Sequence, residues 1–357
     1  MANTVVRTRI MPPPKNNRIL ARPRILQVLD QAMEYRLTIL QAEAGYGKST
    51  ALADYAEKEV NLSWYQLNQE DNDSMVFLLH LCHALLQVNP GLLGLPIKFL
   101  DDWDGSQGPL PWKDVVDQLI NVLSEDLQFP LLLVMDDAHL VTDNGDVPLI
   151  LDRLVGLAPR NLHVLLSGRP VISLPSLSRW RSQGEVLFLD QSLLTFTKDE
   201  IETLYSMHYG LELSAQEVNA LGMVTEGWAI ALQLIWQNIR SHPGTGFDLK
   251  MEVPLGSLDL LFDMLTHEVF EHQPADVREF LTITATLREL KPTNCDLLRK
   301  AAGSKTNDSA SMLAYLRRQD LFIVESAGES LRFHHIFHNF YIMVNTRFQD
   351  IYHFFKN

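Results

Sequence analysis

Six consecutive residues combine backbone freedom, a positive charge and two hydroxyl groups. They read Gly45-Tyr46-Gly47-Lys48-Ser49-Thr50. An apolar run at residues 37–40 lies shortly before them, as in a strand that leads into a turn. A strand that ends in a glycine turn and then opens a helix directs backbone N–H groups and the positive end of the helix dipole at one point. The segment therefore predicts a phosphate-binding loop.

Each residue of this loop suits a defined task. Gly45 and Gly47 allow backbone conformations and close approaches that a Cβ atom would block. Lys48 offers a point charge for the β and γ phosphates of a nucleoside triphosphate, and Ser49 offers a hydroxyl ligand for Mg²⁺. Thr50 adds a donor near the α phosphate. We therefore expect Lys48 to be catalytic as well as nucleotide-binding.

The loop departs from the signature G-x-x-x-x-G-K-[ST] at its first position, which is Ala42. The surrounding sequence supports the interpretation, because a strand pattern precedes the loop and residues 49–56 contain helix formers without Pro or Gly. A solvated glycine loop between a strand and a helix is the alternative.

A second apolar run, residues 130–137, ends in two acids. This pattern is typical of a buried parallel strand that brings its carboxylates to the carboxyl edge of the sheet, where ligands bind in open α/β proteins. We expect Asp136 to hold Mg²⁺, directly or through a water molecule. Asp137 would orient or deprotonate the water that attacks the γ phosphate. The alternative is an acidic turn without a catalytic role.

Arg169 follows a third apolar run, at residues 162–167. At the tip of a strand beside the acidic pair, its guanidinium is suited to sensing or neutralising the γ phosphate. A surface ion pair is the alternative.

Composition limits the class of protein. The 357 residues are 46% hydrophobic and carry a formal charge of −14. This negative charge argues against binding of nucleic acid or anionic lipid over a broad protein surface. Two cysteines are too few for a disulfide scaffold, which suits a reducing cytoplasm. The sequence has neither a signal-peptide core nor a membrane span, so we expect a cytoplasmic protein without membrane contact.

Strand and helix patterns alternate over the first half of the chain. Strands are expected at 37–41, 62–67, 130–137, 162–167 and 186–189, with helices at 25–33, 75–87 and 147–157 and a loop at 89–113. This alternation predicts an α/β fold with a parallel sheet of the P-loop NTPase type.

From residue 190 onward the pattern becomes helical. Thr197 and Glu200 form a capping box, a second helix begins near Ser214, and residues 229–239 form a third. Later helices and a hairpin, with strands at 321–324 and 331–334, predict a winged helix. The expected domains are an N-terminal arm and helix (1–35), a nucleotide-binding domain (36–190), a helical lid (191–245) and a winged-helix domain, complete or truncated (246–357).

Several separated strings resemble the nucleotide-binding region of MalT-like, LuxR-type large ATP-binding transcription regulators, part of the STAND class of P-loop ATPases. They are Arg22-Pro23-Arg24-Ile25-Leu26, Ala42 to Thr50, Trp64-Tyr65-Gln66-Leu67, Asp71-Asn72-Asp73, Asp136-Asp137-Ala138-His139-Leu140, Ser167-Gly168-Arg169-Pro170, Leu194-Thr195-Phe196, Thr225-Glu226-Gly227-Trp228 and Phe333-His334-His335-Ile336-Phe337. The resemblance spans nearly the whole chain, and Ala42 is what this family usually shows.

The resemblance implies a switch. ADP between the ATPase core, the helical domain and the winged helix holds a resting state, and exchange for ATP, with an inducer bound elsewhere, permits self-oligomerisation. His334 matches the winged-helix histidine that reaches the ADP β phosphate, although a core histidine is the alternative. We also place Ala44, Tyr46 and Arg22 among the nucleotide-binding residues. Adenine is favoured mainly by the family.

The same family carries a sensor domain and a DNA-binding helix-turn-helix beyond this region. Neither is expected in this chain, which would be a fragment or an unusual short member, and DNA contact would need that further domain. Slow hydrolysis would reset the switch. The alternatives are an ATP-driven remodeller of the AAA type, and a nucleotide-locked interaction platform that does not hydrolyse.

Overall fold

The computed structural model describes residues 5–14, 20–58, 61–92, 94–106, 108–141, 145–169, 172–241, 270–271, 273–287, 289–304, 308–318, 323–326, 330–333 and 337. The chain forms two compact units. The first contains the described residues up to Leu194 except Ala44–Tyr46, and the second contains Ala44–Tyr46 and the described residues from Thr195 onward.

A five-stranded parallel sheet forms the centre of the first unit. Its strands are β1 (Leu37–Gln41), β2 (Leu62–Gln66), β3 (Leu131–Asp136), β4 (Leu162–Gly168) and β5 (Val186–Leu189), in the order β2-β3-β4-β1-β5. The predicted parallel α/β sheet is confirmed. One strand, β4, separates the strand of the glycine loop from the strand that ends at Asp136.

Helices surround this sheet. They are α1 (Pro23–Asp30), α2 (Lys48–Ala56), α3 (Ser74–Val88), α4 (Ile97–Asp102), α5 (Trp112–Asp126), α6 (Val147–Leu157), α7 (Leu177–Ser182) and α8 (Gln191–Leu194). Alternate residues of β3, namely Leu131, Leu133 and Met135, join the same apolar core as the buried faces of α3, α5 and α6. The intervening Leu132 and Val134 are also buried. Coverage of both faces explains why the strand is apolar throughout.

Three helices of the first unit differ from the sequence-based expectation. The stretch 89–113, predicted as a loop, contains α4 and the start of α5, and α7 was not predicted. α4 and α7 have only six residues each, which is too short for a helical period to show in the sequence. They form because single large residues, Leu100 in α4 and Trp180 in α7, are buried in the tertiary structure.

The second unit begins with short helices, as predicted. They are α9 (Lys198–Thr203), a π-helical turn (Leu204–His208), α10 (Ala215–Thr225) and α11 (Ala229–Ser241). The capping box at Thr197 and Glu200 is confirmed, with each side chain accepting a hydrogen bond from the other residue's backbone N–H. Ser214 caps α10 in the same way.

The described C-terminal residues of this unit contain α12 (Ala275–Thr284), α13 (Pro292–Ala301), α14 (Ser309–Arg318) and the antiparallel strands β6 (Ile323–Ser326) and β7 (Ser330–Phe333). The predicted hairpin is confirmed over its described residues, whereas residues 321, 322 and 334 of the predicted strands lie outside the described residues. The four-part division of domains stays a prediction. Among the described residues, no helix is long and apolar enough to cross a membrane.

A tight turn between α10 and α11 requires glycine at position 227. Gly227 has φ of +73°, and its carbonyl accepts a hydrogen bond from the Phe196 N–H at 2.9 Å. A Cβ atom at this position would lie 2.5 Å from the Phe196 carbonyl oxygen. Both the left-handed conformation and the close approach therefore exclude a larger residue.

We expect Gly227→Ala to lower the free energy of unfolding by about 3 kcal/mol or more, because it combines left-handed strain with a backbone clash. Gly210→Ala is the matched control, since Gly210 also has positive φ but a Cβ there would meet nothing within 4 Å. The control should lose only about 1–2 kcal/mol. Urea unfolding followed by tryptophan fluorescence measures both changes, and equal losses would contradict this explanation.

Candidate functional site

The glycine loop has the backbone conformation that its sequence predicts. Gly45 and Gly47 have φ of +79° and +84°, in the left-handed region that glycine tolerates best. α2 begins at Lys48, directly after Gly47. No side chain described in the structure caps this helix N-terminus. The first turn of α2 therefore offers N–H groups and a positive dipole end to an anion.

Lys48 is buried inside the loop. Its ammonium donates hydrogen bonds to the carbonyl oxygens of Ala42, at 2.6 Å, and Glu43, at 3.0 Å. Burial lowers the pKa of Lys48, although the nearby carboxylates of Glu43, Asp136 and Asp137 oppose this change. The ammonium is therefore held inside the loop by backbone carbonyl oxygens and lies near the acids at the end of β3 and the acid that precedes the loop.

The other predicted binding residues of the first unit lie around the same helix start. Ser49 and Thr50 are in the first turn of α2 and are partly exposed. Arg22 is buried and donates a hydrogen bond to the Leu194 carbonyl at 2.6 Å. Its second terminal nitrogen would lie 3.8 Å from a Cβ atom at Gly47. The structure therefore brings Arg22 next to the loop despite the distance in sequence.

The tip of the loop packs within the second unit, to which Ala44–Tyr46 belong. The Trp228 indole N–H donates to the Ala44 carbonyl at 3.0 Å, and the Ile230 backbone N–H donates to the Gly45 carbonyl at 3.1 Å. A Cβ atom at Gly45 would lie 2.6 Å from Cγ2 of Ile230, so this packing also requires glycine.

An aromatic cluster surrounds this tip. The Tyr46 ring lies 6.0 Å from the Trp228 ring, and Phe337 stacks on Trp228 at 5.5 Å between centroids. Tyr46 is buried, so the structure gives its ring a packing role as well as a place in the loop. His334, the remaining predicted contact, lies outside the described residues.

The two acids end β3, as predicted. The Asp136 side chain is completely buried, and its Oδ1 accepts a hydrogen bond from the Asp137 N–H at 3.1 Å. Within the described part of the chain, no hydrogen-bond donor contacts the buried Oδ2 of Asp136. Asp137 has φ of +58°, which is uncommon for a residue with a side chain. Such strain occurs at sites where a side chain must be directed to a particular place.

Asp137 has a polar partner that the sequence analysis did not identify as a site residue. The Gln66 carboxamide, at the end of β2, donates to Oδ2 of Asp137 at 2.6 Å. Burial raises the pKa of Asp137 above its ordinary value, and the Asp136 charge raises it further. Lys48, Arg169 and the Gln66 hydrogen bond act in the opposite direction. Asp137 is thus a carboxylate whose basicity is increased.

The end of β4 lies close to the turn that follows Asp137. Arg169 directly follows β4 and is partly buried, near enough to Asp137 and Lys48 to influence the pKa of each. A Cβ atom at Gly168 would lie 3.1 Å from the His139 backbone nitrogen. Glycine at this position lets the turn after Asp137 pack against the end of β4.

His139 is a second residue whose role the sequence did not reveal. Its Nδ1 lies 3.9 Å from Oδ1 of Asp137. Burial lowers the pKa of His139 to about 4, and the charges of Arg169 and Lys48 also lower it. The imidazole is therefore neutral at pH 7 and forms no ion pair with Asp137. The signals in the sequence are weak: Gln66 is a polar residue near the end of a predicted strand, and His139 lies two residues after the acidic pair.

Together these features define the class. A glycine loop that opens a helix, a lysine at the start of that helix, and two acids at the end of a parallel strand two positions away in the sheet are the arrangement of a P-loop NTPase fold. The solved structures support the same fold: a Walker-type ATPase of Pyrococcus abyssi superposes with a TM-score of 0.63 at 15% identity, covering 93% of this chain and 98% of that chain.

Sequence comparisons find similarity to MalT-type regulators. The model of the MalT winged helix domain matches residues 266–342. The HTH-type transcriptional regulator MalT of Serratia proteamaculans is 29% identical over 94% of this chain and 36% of its own length. The MalT of Vibrio campbellii is 27% identical over 92% of this chain and 35% of its own length. The resemblance to MalT-type regulators is confirmed, and the chain spans about a third of the length of these relatives.

We expect His139→Gln to change the pH dependence of stability. The unfolded chain binds a proton at His139 as the pH falls below about 6.5, whereas the folded protein binds it only near pH 4. The stability that the neutral histidine contributes above pH 6.5 is therefore lost between pH 6.5 and 4. The variant should lose about 2–3 kcal/mol less than wild type over this window in urea unfolding. Parallel curves would contradict the neutral imidazole.

Proposed function

We propose that this chain is the nucleotide-controlled module of a transcription regulator, and that it binds ATP and ADP with Mg²⁺. The observation that carries the proposal is the buried Lys48 inside a glycine loop, close to the carboxylates of Asp136 and Asp137. The similarity to regulators named MalT supports the regulatory role. The similarity to a Walker-type ATPase supports the fold needed for nucleotide binding.

The residues fit a magnesium nucleotide. A fully buried carboxylate oxygen without a hydrogen-bond donor, such as Oδ2 of Asp136 among the described residues, is costly unless a cation or donor satisfies it. Asp136 and the Ser49 hydroxyl would hold the Mg²⁺ ion. When bound, the ion neutralises charge that develops on the phosphates. Lys48 and the N–H groups at the start of α2 would bind the phosphates themselves.

The acid next to Asp136 supports slow hydrolysis. Asp137 is basic for a carboxylate, because burial and the Asp136 charge raise its pKa. It can therefore orient a water molecule and accept its proton. Gln66 holds one carboxylate oxygen of Asp137 by a hydrogen bond, which fixes the direction of the other. Arg169 would neutralise the γ phosphate as the bond breaks.

The second unit would report which nucleotide is bound. ADP would hold a resting state, and ATP would permit self-oligomerisation. The contacts of Ala44 and Gly45 with Trp228 and Ile230 support this coupling, because a change in the loop must displace groups that are hydrogen-bonded to it. We retain His334 as a proposed contact to the ADP β phosphate.

The wider biology follows from the family. We propose that the protein acts in the cytoplasm without membrane contact, that an inducer or regulatory protein controls exchange, and that DNA is bound by a further domain. The acidic balance of residues 246–357 makes the winged helix poorly suited to bind the phosphate backbone of DNA, so we propose that it acts as a lid over nucleotide and not as a DNA reader.

Loss of the loop lysine should abolish nucleotide binding. We expect Lys48→Ala to weaken ATP and ADP binding at least about 100-fold, because the charge within the phosphate loop is lost. Lys58→Ala, an exposed lysine just beyond the end of the same helix, is the matched control and should bind normally. Calorimetric titration, and chromatography of nucleotide released on denaturation, measure the effect. Equal affinities in the two variants would overturn the proposed site.

Asp137→Asn separates binding from hydrolysis. The substitution keeps the size of the side chain but removes the base, so ATP turnover should fall about 10²–10⁴-fold while affinity stays within a few-fold. Steady-state phosphate release measures turnover. Unchanged residual turnover would favour the non-hydrolysing platform, and wild-type turnover above about one per second would favour an ATP-driven remodeller.

A further inference from the structure

The N-terminal segment Val5–Ile10 lies against the end of β2, beside the candidate hydrolytic site. Arg7–Ile10 form a 3₁₀ turn with Ile10 buried in the core of the first unit. Arg9 is largely covered, and its Nε donates to the Gln66 carbonyl oxygen at 3.2 Å. Gln66 is the residue whose side chain holds Asp137. The segment therefore contacts the backbone of the positioning residue directly.

A buried polar cluster holds Arg9 in this place. Its terminal nitrogen pairs with Oδ2 of Asp71, whose side chain is completely buried. The Tyr65 hydroxyl donates to the other Asp71 oxygen at 2.6 Å, and the Asn68 backbone N–H donates to Oδ2 at 2.7 Å. A buried carboxylate with this many partners is strongly fixed, and removing one partner leaves a desolvated charge.

Histidine and aromatic contacts extend the cluster. The Arg9 guanidinium lies 5.7 Å from the centre of the Tyr65 ring, and His80 stacks on Tyr65 at 5.8 Å. The Val6 N–H donates to Nε2 of His80 at 3.3 Å. Burial lowers the pKa of His80, which favours the neutral form that can accept this bond. The residue before the 3₁₀ turn, Val6, is therefore bonded to α3, and Arg9 within the turn is bonded to the end of β2 and to Asp71.

The end of β2 is consequently fixed from two sides. On one side the Leu67 N–H donates to the Asp136 carbonyl at 2.9 Å, and Gln66 lies in register with Asp136. On the other side Arg9 joins the Gln66 carbonyl to the Asp71 carboxylate. The side chain of Gln66 can reach Asp137 only while its backbone keeps this position.

We propose that Arg9 is a positioning residue for hydrolysis, which holds the end of β2 so that the Gln66 carboxamide stays on Asp137. The proposal rests on the proposed function, since it assigns Asp137 a role in ATP turnover. It makes the N-terminal segment part of the hydrolytic apparatus, although Arg9 contacts Asp137 only through Gln66.

Because Arg9 bonds two groups, a substitution can keep its positive charge and remove one of the two hydrogen bonds. Arg9→Lys keeps a positive charge for Asp71 but has one nitrogen, which cannot bond both Asp71 and the Gln66 carbonyl as the guanidinium does. Arg9→Ala would leave the Asp71 charge buried and unpaired, so it is expected to destabilise the fold. Arg9→Lys is therefore the test variant, with its thermal midpoint measured alongside.

We expect Arg9→Lys to reduce kcat for ATP about tenfold, and to leave the affinity for ATP within about twofold, because the phosphate loop is not touched. Gln66→Ala should behave in the same way. The double variant should be no slower than Gln66→Ala, since both changes remove one interaction. Arg7→Lys, in the same 3₁₀ turn but exposed, is the control and should match wild type.

The difference between turnover and binding provides a readout that a general loss of stability would not give. A destabilised protein would lose bound ATP per mole of protein together with turnover. Loss of the Gln66 hydrogen bond to Asp137 should instead lower kcat while the ATP-binding stoichiometry stays at its wild-type value.

The outcomes are distinct. Losses of kcat that multiply in the double variant, a parallel loss of ATP binding, or wild-type kcat in Arg9→Lys would overturn the role of Arg9 while leaving ATP hydrolysis intact. A wild-type protein that binds ATP and releases no phosphate would overturn the proposed hydrolysis, and this inference with it.

Discussion

The burial of one ammonium group within reach of three carboxylates is the constraint on which the rest of the first unit depends. Lys48 has lost most of its hydration, and the carbonyl oxygens of Ala42 and Glu43 replace part of it. These carbonyls are available only because the backbone turns at Gly45 and Gly47, in conformations that glycine alone adopts without strain. The loop, the start of α2 and the acidic strand end are thus parts of one electrostatic arrangement.

The sheet order gives this arrangement its geometry. β4 lies between β1, which leads into the loop, and β3, which ends at Asp136. The carboxyl ends of parallel strands meet at one edge, so residues far apart in the chain converge there. Gly168 permits the turn around His139 to pack against this edge, and the end of β2 adds Gln66. The strands β1 to β4 therefore each lead into or contribute a polar group or a close backbone contact at the site.

The second unit also depends on a left-handed glycine and on a buried side chain that is hydrogen-bonded to a backbone carbonyl. Its turn after α10 depends on a left-handed glycine, and the following Trp228 is fully buried with its indole N–H bonded to the Ala44 carbonyl. Large aromatic rings bury much area with few rotatable bonds, so Trp228 holds its partners at low entropic cost. The tip of the loop, Ala44–Tyr46, thus packs as part of the second unit.

The sequence by itself determined the features that are encoded locally. β1, β5 and α6 have the predicted bounds, the capping box at Thr197 is present, and the loop from Gly45 to Thr50 has its expected backbone, because apolar runs, caps and glycines act over a few residues. Only the tertiary structure decided that Gln66 contacts Asp137, 71 residues away, and that Arg9 contacts Gln66, 57 residues away. It also decided that His139, although only two residues from Asp137, is buried there with a lowered pKa. The order of the strands in the sheet brings such residues together, and desolvation in the folded protein shifts the pKa of their side chains. Neither effect can be read from a local sequence pattern.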